Sequence, residues 1–406
     1  MQPVDSEART FFEKGLAEFE KGNNAEAILF FDKAIELDPD YLEAIGYRGD
    51  AKANLGDKEG ALLDFERAQD IDPQNEIAPF RTGEMKLNLG RFEEAVEDLD
   101  KAIQLDPDYA LAYVYRGQAR AELQNFEEAK SDLNRAIDLD PSNEVPYYTR
   151  GQVKSSMASD YDEKYHPSTT KREKETKAKK CVELRRGAIE DFTRAIEINP
   201  KFVDAYYSRG KSKFDIGESE SAFADMDIVI EKEPAYYDAY FDRGLYKGEL
   251  GMHEESLEDY SKAIELKPDD PLGWLMRGGT YEDLERYGEA IEDFDKVIEL
   301  GEGSISSFGY CGRGSSKMHQ GRHRAAIKDF DKAVEIWHNY SDGYFLRGVA
   351  KAHLGKHEDA ISDYTKAIEL DPDHVGAYKY RCLSKEKIRD FKGAAEDMNT
   401  YRRLTN

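Results

Sequence analysis

A recurring spacing of 34 residues between glycines constrains this 406-residue chain more than any other feature of its sequence. We call these positions the glycine column, which ends in a cysteine: Gly15, Gly49, Gly83, Gly117, Gly151, Gly210, Gly244, Gly278, Gly314, Gly348 and Cys382. A column of prolines keeps the same step at Pro39, Pro73, Pro107, Pro141, Pro200, Pro234, Pro268 and Pro372. Self-similarity at a fixed period indicates a repeat architecture, so the sequence predicts eleven copies of one unit.

The unit is best seen in residues 341–373, which contain two amphipathic segments joined by a glycine-containing turn. Tyr344, Arg347, Gly348 and Lys351 fall on one face of a first helix, because they are spaced i, i+3, i+4 and i+7. The second segment keeps the same spacing, and Pro372 ends it because proline cannot continue the hydrogen-bond ladder. One such hairpin is too small to bury its own apolar face, so it must stack on its neighbours.

The pattern of an aromatic residue, a small residue four later, then Ala-x3-aromatic, Ala and Pro resembles the tetratricopeptide repeat family, over roughly residues 8 to 404. The resemblance implies an all-α fold, a right-handed superhelical solenoid of eleven helix-turn-helix repeats forming a single domain over 1–406. The approximate repeat boundaries are 8–41, 42–75, 76–109, 110–143, 144–202, 203–236, 237–270, 271–306, 307–340, 341–374 and 375–406.

Composition excludes several functional classes. The chain has 58 Lys and Arg against 84 Asp and Glu, a net charge of −26, whereas a nucleic-acid binder carries a basic footprint. No apolar run is long enough to span a membrane, and the first residues lack a signal-peptide pattern. The three cysteines show no metal-ligand spacing. We expect a cytoplasmic protein, with monomer favoured, although a mature secreted protein with an added Met remains open.

Three further columns, of arginine, aspartate and lysine, accompany the glycines in repeats two to eleven. An arginine precedes the glycine column in nine repeats, with Thr82 as the exception, and an aspartate such as Asp132 or Asp363 follows in the second helix of all ten. A basic residue such as Lys351 usually lies three residues after the glycine. We expect the arginine and aspartate to bridge the two helices of one repeat, with the lysine stem lying along the hairpin. The alternative is a row of ligand-binding arginines.

An insertion of 25 residues, near 157–181, interrupts repeat five. Residues 158–168 have loop character, and from 169 onward a long second helix is predicted as far as Asn199, with only Gly187 as a weak breaker. The segment is locally basic, unlike the rest of the chain, with Lys171, Arg172, Lys174, Lys177, Lys179 and Lys180. It is either a solvated decoration or a secondary partner surface.

No catalytic motif is present, so we expect no enzyme activity and no cofactor or metal. His319 and His323 occupy the same columns in repeat nine as His353 and His357 in repeat ten. Such pairs suggest either a metal-binding or pH-sensing patch, or simply the similarity of neighbouring repeats.

The family resemblance implies a protein-interaction scaffold that binds an extended peptide or a partner helix along the concave face formed by the first helices. The predicted groove residues lie three before, one after and four after the glycine column: Phe80, Leu87, Val114, Tyr148, Tyr207, Phe214, Phe241, Leu245, Leu275, Phe345 and Val349. The Lys and Asn of the family's chaperone-tail clamp never occur together at these positions. The alternative function is a regulatory or chaperone-like subunit of an enzyme complex.

Overall fold

The computed structural model describes residues 3–163 and 171–405, which form an all-α repeat fold of stacked helical hairpins, as predicted. These residues contain 22 α-helices and no strand. None of the described helices is long and apolar enough to cross a membrane.

The chain divides into two compact units, Met1–Asp225 and Met226–Asn406. The helices of the first unit are α1 (Pro3–Glu20), α2 (Asn24–Leu37), α3 (Leu42–Asn54), α4 (Lys58–Ile71), α5 (Ile77–Asn88), α6 (Phe92–Leu105), α7 (Ala110–Glu122), α8 (Phe126–Leu139), α9 (Glu144–Glu163), α10 (Lys171–Ile198) and α11 (Val203–Asp215). The division falls within α12 (Ser219–Lys232). The second unit contains α13 (Tyr237–Glu249), α14 (His253–Leu266), α15 (Pro271–Asp283), α16 (Tyr287–Leu300), α17 (Gly303–His319), α18 (His323–Ile336), α19 (Ser341–His353), α20 (His357–Leu370), α21 (Val375–Lys387) and α22 (Phe391–Thr405).

The glycine column lies where the two helices of a hairpin cross most closely. A Cβ atom on Gly348 would lie 2.6 Å from the ring of Tyr364, and one on Gly49 would lie 2.6 Å from the ring of Phe65. Neither distance is compatible with a side chain, so the column keeps the hairpins tightly packed. In nine repeats a buried ring or leucine lies opposite the glycine, at the centre of the repeat's core.

The turn between the two helices of a repeat is made by a residue with left-handed backbone, usually glycine. Gly22, Gly56, Gly90, Gly217, Gly251, Gly321 and Gly355 have φ values between 75° and 85°. Glycine adopts this conformation without a Cβ penalty, which explains why it recurs there. Gln124, Glu285 and Arg389 take the same backbone conformation in repeats four, eight and eleven.

The arginine and aspartate columns form a bidentate ion pair inside each of the nine repeats that have the arginine, which confirms the predicted bridge. In repeat four, Arg116 donates from Nε to Asp132 Oδ2 at 2.9 Å and from Nη2 to Oδ1 at 2.5 Å. In repeat ten, Arg347 and Asp363 make the same contacts at 3.0 and 2.6 Å. Both aspartates are buried.

The lysine column adds a second cation to the same carboxylate. Lys351 Nζ lies 2.7 Å from Asp363 Oδ2, and Arg120 occupies the equivalent place beside Asp132 in repeat four, also at 2.7 Å. The guanidinium of Arg347 also lies over the ring of Tyr344, 5.3 Å from its centroid. The buried aspartate therefore has partners on both of its oxygens, which is the condition under which a buried charge is tolerated.

The third guanidinium nitrogen connects neighbouring repeats, a contact that the columns did not reveal. Arg347 Nη1 donates to Asp331 of the preceding repeat at 2.9 Å, and Arg381 Nη1 donates to Thr365 at 3.0 Å. The other acceptors lie at the equivalent position, two residues after the aspartate column or its counterpart: Asp32, Asp100, Asn134, Thr193, Asp227, Ser261 and Asp295. One arginine thus fixes both the hairpin and its stacking on the previous hairpin.

Repeats three and eight depart from this scheme. Thr82 replaces the arginine in repeat three, where Lys86 and Lys101 hold Asp98 at 2.7 and 2.6 Å. In repeat eight the lysine is replaced by Tyr281, which leaves Arg277 as the cation bound to Asp293. Burial raises the pKa of Asp293, against the opposing effect of Arg277.

The insertion lengthens both helices of repeat five. Helix α9 has 20 residues against 13 in α7, and α10 has 28 against 14 in α8. The predicted loop character is therefore wrong for residues 158–163, which are helical because Met157 and Ala158 pack with Cys181 and Leu184 in a buried cluster. The predicted long second helix is confirmed from Lys171 onward, and residues 164–170 lie outside the described part of the chain.

Removing one aspartate of the column tests the packing scheme. We expect Asp363→Ala to destabilise the protein by about 3–5 kcal/mol, because Lys351 loses its carboxylate partner and Arg347 keeps only Asp331, in a largely buried setting. Glu369→Ala is the matched control in the same repeat, since it breaks the surface pair of Lys366 and Glu369. That control should cost at most about 1 kcal/mol. Urea denaturation followed by circular dichroism measures both, and equal small effects would contradict the scheme.

The turn histidines predict a pH-dependent contribution to stability. The rings of His323 and His353 stack at 4.8 Å, and burial together with the His353 charge lowers the pKa of His323. The folded state therefore favours the neutral ring of His323. The contribution of this ring to the free energy of unfolding is present above the ordinary histidine pKa, and it is lost as the pH falls through the lower pKa that His323 has in the folded protein. His323→Tyr copies the Tyr287–His319 stack of the preceding repeat. We expect the melting temperature of this variant to fall less than that of the parent protein when the pH is lowered from about 8 to about 5.

Candidate functional site

The structure places the predicted groove residues at two different depths. Phe80, Val114 and Val349 are buried in the hydrophobic core, so their assignment to an exposed groove is wrong. The remaining eight residues are half-buried: Leu87, Tyr148, Tyr207, Phe214, Phe241, Leu245, Leu275 and Phe345. Their role in partner binding stays a prediction.

Aromatic residues of the predicted groove that lie three before the glycine column pack against neighbouring rings. The ring of Tyr148 lies 4.7 Å from that of Phe202, and Phe80 lies 4.8 Å from Tyr109. Phe345 contacts Tyr364, His374 and Tyr380 in the second unit. A large side chain three residues before the glycine column therefore fills the space between successive first helices.

Gly46 lies three residues before the glycine column but has no side chain to fill this space, and a groove opens beside it. A Cβ atom on Gly46 would meet nothing within 4 Å. The groove has a volume of about 670 Å³, within the range of ligand-binding clefts. Its apolar lining consists of Phe19, Leu42, Tyr47, Ala53, Phe65, Ala68, Ile77, Ala78 and Met85. Ile77 has 52% of its surface exposed, whereas Phe65, Ala68 and Met85 are buried and form the floor. The signal for this groove was present in the sequence as one glycine in a row of mostly larger residues.

The polar side of this groove, which we call the Gly46 groove, is predominantly acidic. Arg81 Nη1 donates to Glu84 at 2.8 Å, and its Nη2 lies 3.4 Å from Asp50. Tyr115 donates to the other oxygen of Glu84 at 3.0 Å. Burial raises the pKa of Asp50, partly offset by Arg81. Arg81 contacts two of the three carboxylates that line the groove, and the third, that of Glu43, belongs to an exposed residue, so the Gly46 groove favours a basic group.

The polar side also carries amide side chains along its length. Asn54, Asn75 and Asn88 line the Gly46 groove at the ends of α3 and α5 and in the loop before α5. An asparagine side chain has both a donor and an acceptor, which suits it to hydrogen-bond the backbone of an extended peptide. The groove therefore combines an apolar floor, an acidic wall and peptide-like hydrogen-bonding groups.

The predicted basic surface lies on the first half of α10. Arg172 and Lys179 are exposed, and Lys177 and Lys180 are half-buried, with Lys180 Nζ 3.2 Å from Glu183. The side chains of Lys171 and Lys174 lie outside the described residues. This surface stays a predicted secondary site.

The histidine pairs stack on their neighbours instead of converging on one point. His319 stacks on Tyr287 at 5.0 Å, and His323 stacks on His353. Among the described residues, no group of three or more His, Cys, Asp or Glu side chains is placed to hold a metal ion.

Five family models, with two descriptions between them, match the chain. They are "TPR repeat" at residues 83–124 and "Tetratricopeptide repeat" at 12–76, 110–143, 241–305, 309–336 and 341–374. Together the matches cover more than half of the sequence. The chain belongs to the tetratricopeptide repeat family. A search of curated proteins found no match.

Solved structures of this family are similar to the chain at low identity. A tetratricopeptide repeat protein from Parabacteroides merdae ATCC 43184 is 18% identical over 68% of this chain and 98% of its own, with a TM-score of 0.45. Yeast Tom70 is 15% identical over 97% of this chain and 99% of its own, with a TM-score of 0.43. YrrB, described as having an unusual peptide-binding site, is 22% identical over 52% and 95%, with a TM-score of 0.38.

Two substitutions separate packing from surface roles in this tetratricopeptide repeat protein. Phe80→Ala should cost about 3–5 kcal/mol of unfolding free energy, because Phe80 is 4% exposed and packs on two tyrosines. Ile77→Ala, three residues earlier in α5, should cost about 1 kcal/mol or less, because half of the side chain is already exposed. Urea denaturation of both variants measures the difference. Equal costs would mean that Ile77 is packed and not available to a ligand.

Proposed function

We propose that this protein is a scaffold that binds an extended peptide segment of a partner protein in the Gly46 groove, and that it acts by binding rather than by catalysis. The observation that carries the proposal is the open space at Gly46 over a floor of Phe65, Ala68 and Met85. The neighbouring repeats have Phe12 and Phe80 at the same position of the first helix. An open apolar floor in one repeat is what an anchoring side chain requires.

The lining of the Gly46 groove also defines the chemistry of the peptide. An aliphatic side chain fits over the apolar floor, where burying it contributes roughly 1.5–3 kcal/mol. A lysine or arginine next to this anchor would face Glu43, Asp50 and Glu84. The net charge of −26 would also increase the association rate of such a basic peptide at low salt.

Filling the groove tests the proposal without removing any contact of the folded protein. Gly46→Leu places a side chain where the neighbouring repeats have phenylalanine, and replacing a helical glycine should leave the melting temperature unchanged or raise it. Peptides selected from a random displayed library are then titrated against parent and variant by fluorescence anisotropy. We expect the variant to bind about tenfold more weakly or worse, since the anchor side chain loses its site.

Gly279→Leu is the matched control, because Gly279 also lies in a first helix and a Cβ there meets nothing within 4 Å. This variant should bind the selected peptides as the parent does. If Gly46→Leu binds them with unchanged affinity, or if both variants weaken binding equally, the Gly46 groove is not the binding site.

A further inference from the structure

The insertion in repeat five creates a second cleft, separate from the Gly46 groove. Helix α9 is seven residues longer than α7, so it continues beside the turn that joins α7 to α8. The cleft between them has a volume of about 580 Å³. It lies within the first unit, and Ser159 and Asp160 line it only because α9 is extended. We call it the insertion cleft.

The insertion cleft is lined mainly by groups that can accept hydrogen bonds, and none of its described lining residues carries a cationic side chain. Glu122 contributes an exposed carboxylate, and Gln118 and Gln152 contribute amides. Gln152 donates its amide group to the hydroxyl of Tyr148 at 2.9 Å, which leaves its carbonyl oxygen to accept.

Two serines of the extended helix add to this acceptor character. Ser159 donates to the backbone oxygen of Ser155 at 3.3 Å, so the donor of Ser159 is used inside the protein and its lone pairs remain. The exposed Ser156 lies between them on the same helix. A cleft with this balance of groups selects a ligand that supplies donors and positive charge.

A second, independent observation comes from Thr149. This residue lines the insertion cleft, is 3% exposed, and its buried hydroxyl has no hydrogen-bond partner among the described residues. An unpartnered buried hydroxyl is unfavourable, since it has lost its bonds to water. A ligand donor that reaches the floor of the cleft would satisfy it.

We propose that the insertion cleft binds an arginine side chain of a partner peptide. A guanidinium carries a permanent positive charge and five N–H donors in a planar arrangement, so it can address carboxylate, carbonyl and hydroxyl oxygens at once. Ala121, Phe126 and Val153 supply an apolar wall for its aliphatic stem. The insertion therefore adds a charge-selective site to the array.

The test uses the full chain and a fluorescein-labelled pentapeptide, Ala-Ala-Arg-Ala-Ala, with a citrulline analogue that has the same shape without the charge. We expect the arginine peptide to bind about tenfold more tightly than the citrulline peptide, and increasing salt to weaken the arginine peptide selectively. Glu122→Gln and Thr149→Val should each reduce its affinity by about fivefold to tenfold. Gly279→Leu, in the second unit, should leave it unchanged.

The thermal stability of Thr149→Val provides a separate measurement. Because the hydroxyl is unpartnered in the unliganded protein, this variant should melt at the same temperature as the parent or higher. A lower melting temperature would show that the hydroxyl has a structural partner and would overturn the proposal. Equal binding of the arginine and citrulline peptides, absence of arginine-peptide binding, or unchanged affinity in both cleft variants would also overturn it.

Discussion

The structure depends on a buried aspartate in the second helix of every repeat after the first. A carboxylate at this depth is tolerated only if both oxygens are paired, and the arginine and lysine columns of the first helix supply the partners. Because the arginine also donates to the preceding repeat, the same interaction defines the hairpin and its stacking. Folding of one repeat is thereby coupled to its neighbour, as expected for a quasi-one-dimensional protein. These cations are used internally, which leaves the acidic excess on the surface.

Much of the fold could be predicted from the sequence because its determinants are side-chain identities at a fixed period. The glycine column indicates that two helices approach closely, and the Arg116–Asp132 pair indicates a specific bidentate contact between them. The link between repeats was missed because its acceptor needs only an oxygen, so Asp, Asn, Ser and Thr alternate there. The extended α9 was missed because His166-Pro167-Ser168 suggested a loop, whereas burial of Ala158 in the neighbouring cluster favours helix up to Glu163.

The candidate site was predicted less well, for a physical reason. The first-helix positions that can contact a ligand are also those that fill the space between repeats, so apolar character alone does not separate the two roles. Phe80 and Val114 fill that space and are buried, whereas Gly46 leaves it open. The informative residue was therefore the one with the smallest side chain. The insertion cleft was also not predicted, because part of its wall is formed by the additional residues of α9 and no sequence motif marks them.

A crystal structure of the protein with a library-selected peptide tests directly whether a partner segment binds in the Gly46 groove. We expect density for an extended peptide along α3 and α5. An aliphatic side chain should lie over Gly46 against Phe65 and Ala68, and a basic side chain should lie near Asp50 and Glu84. A peptide bound on the second-helix face, with the groove beside Gly46 empty, would contradict it.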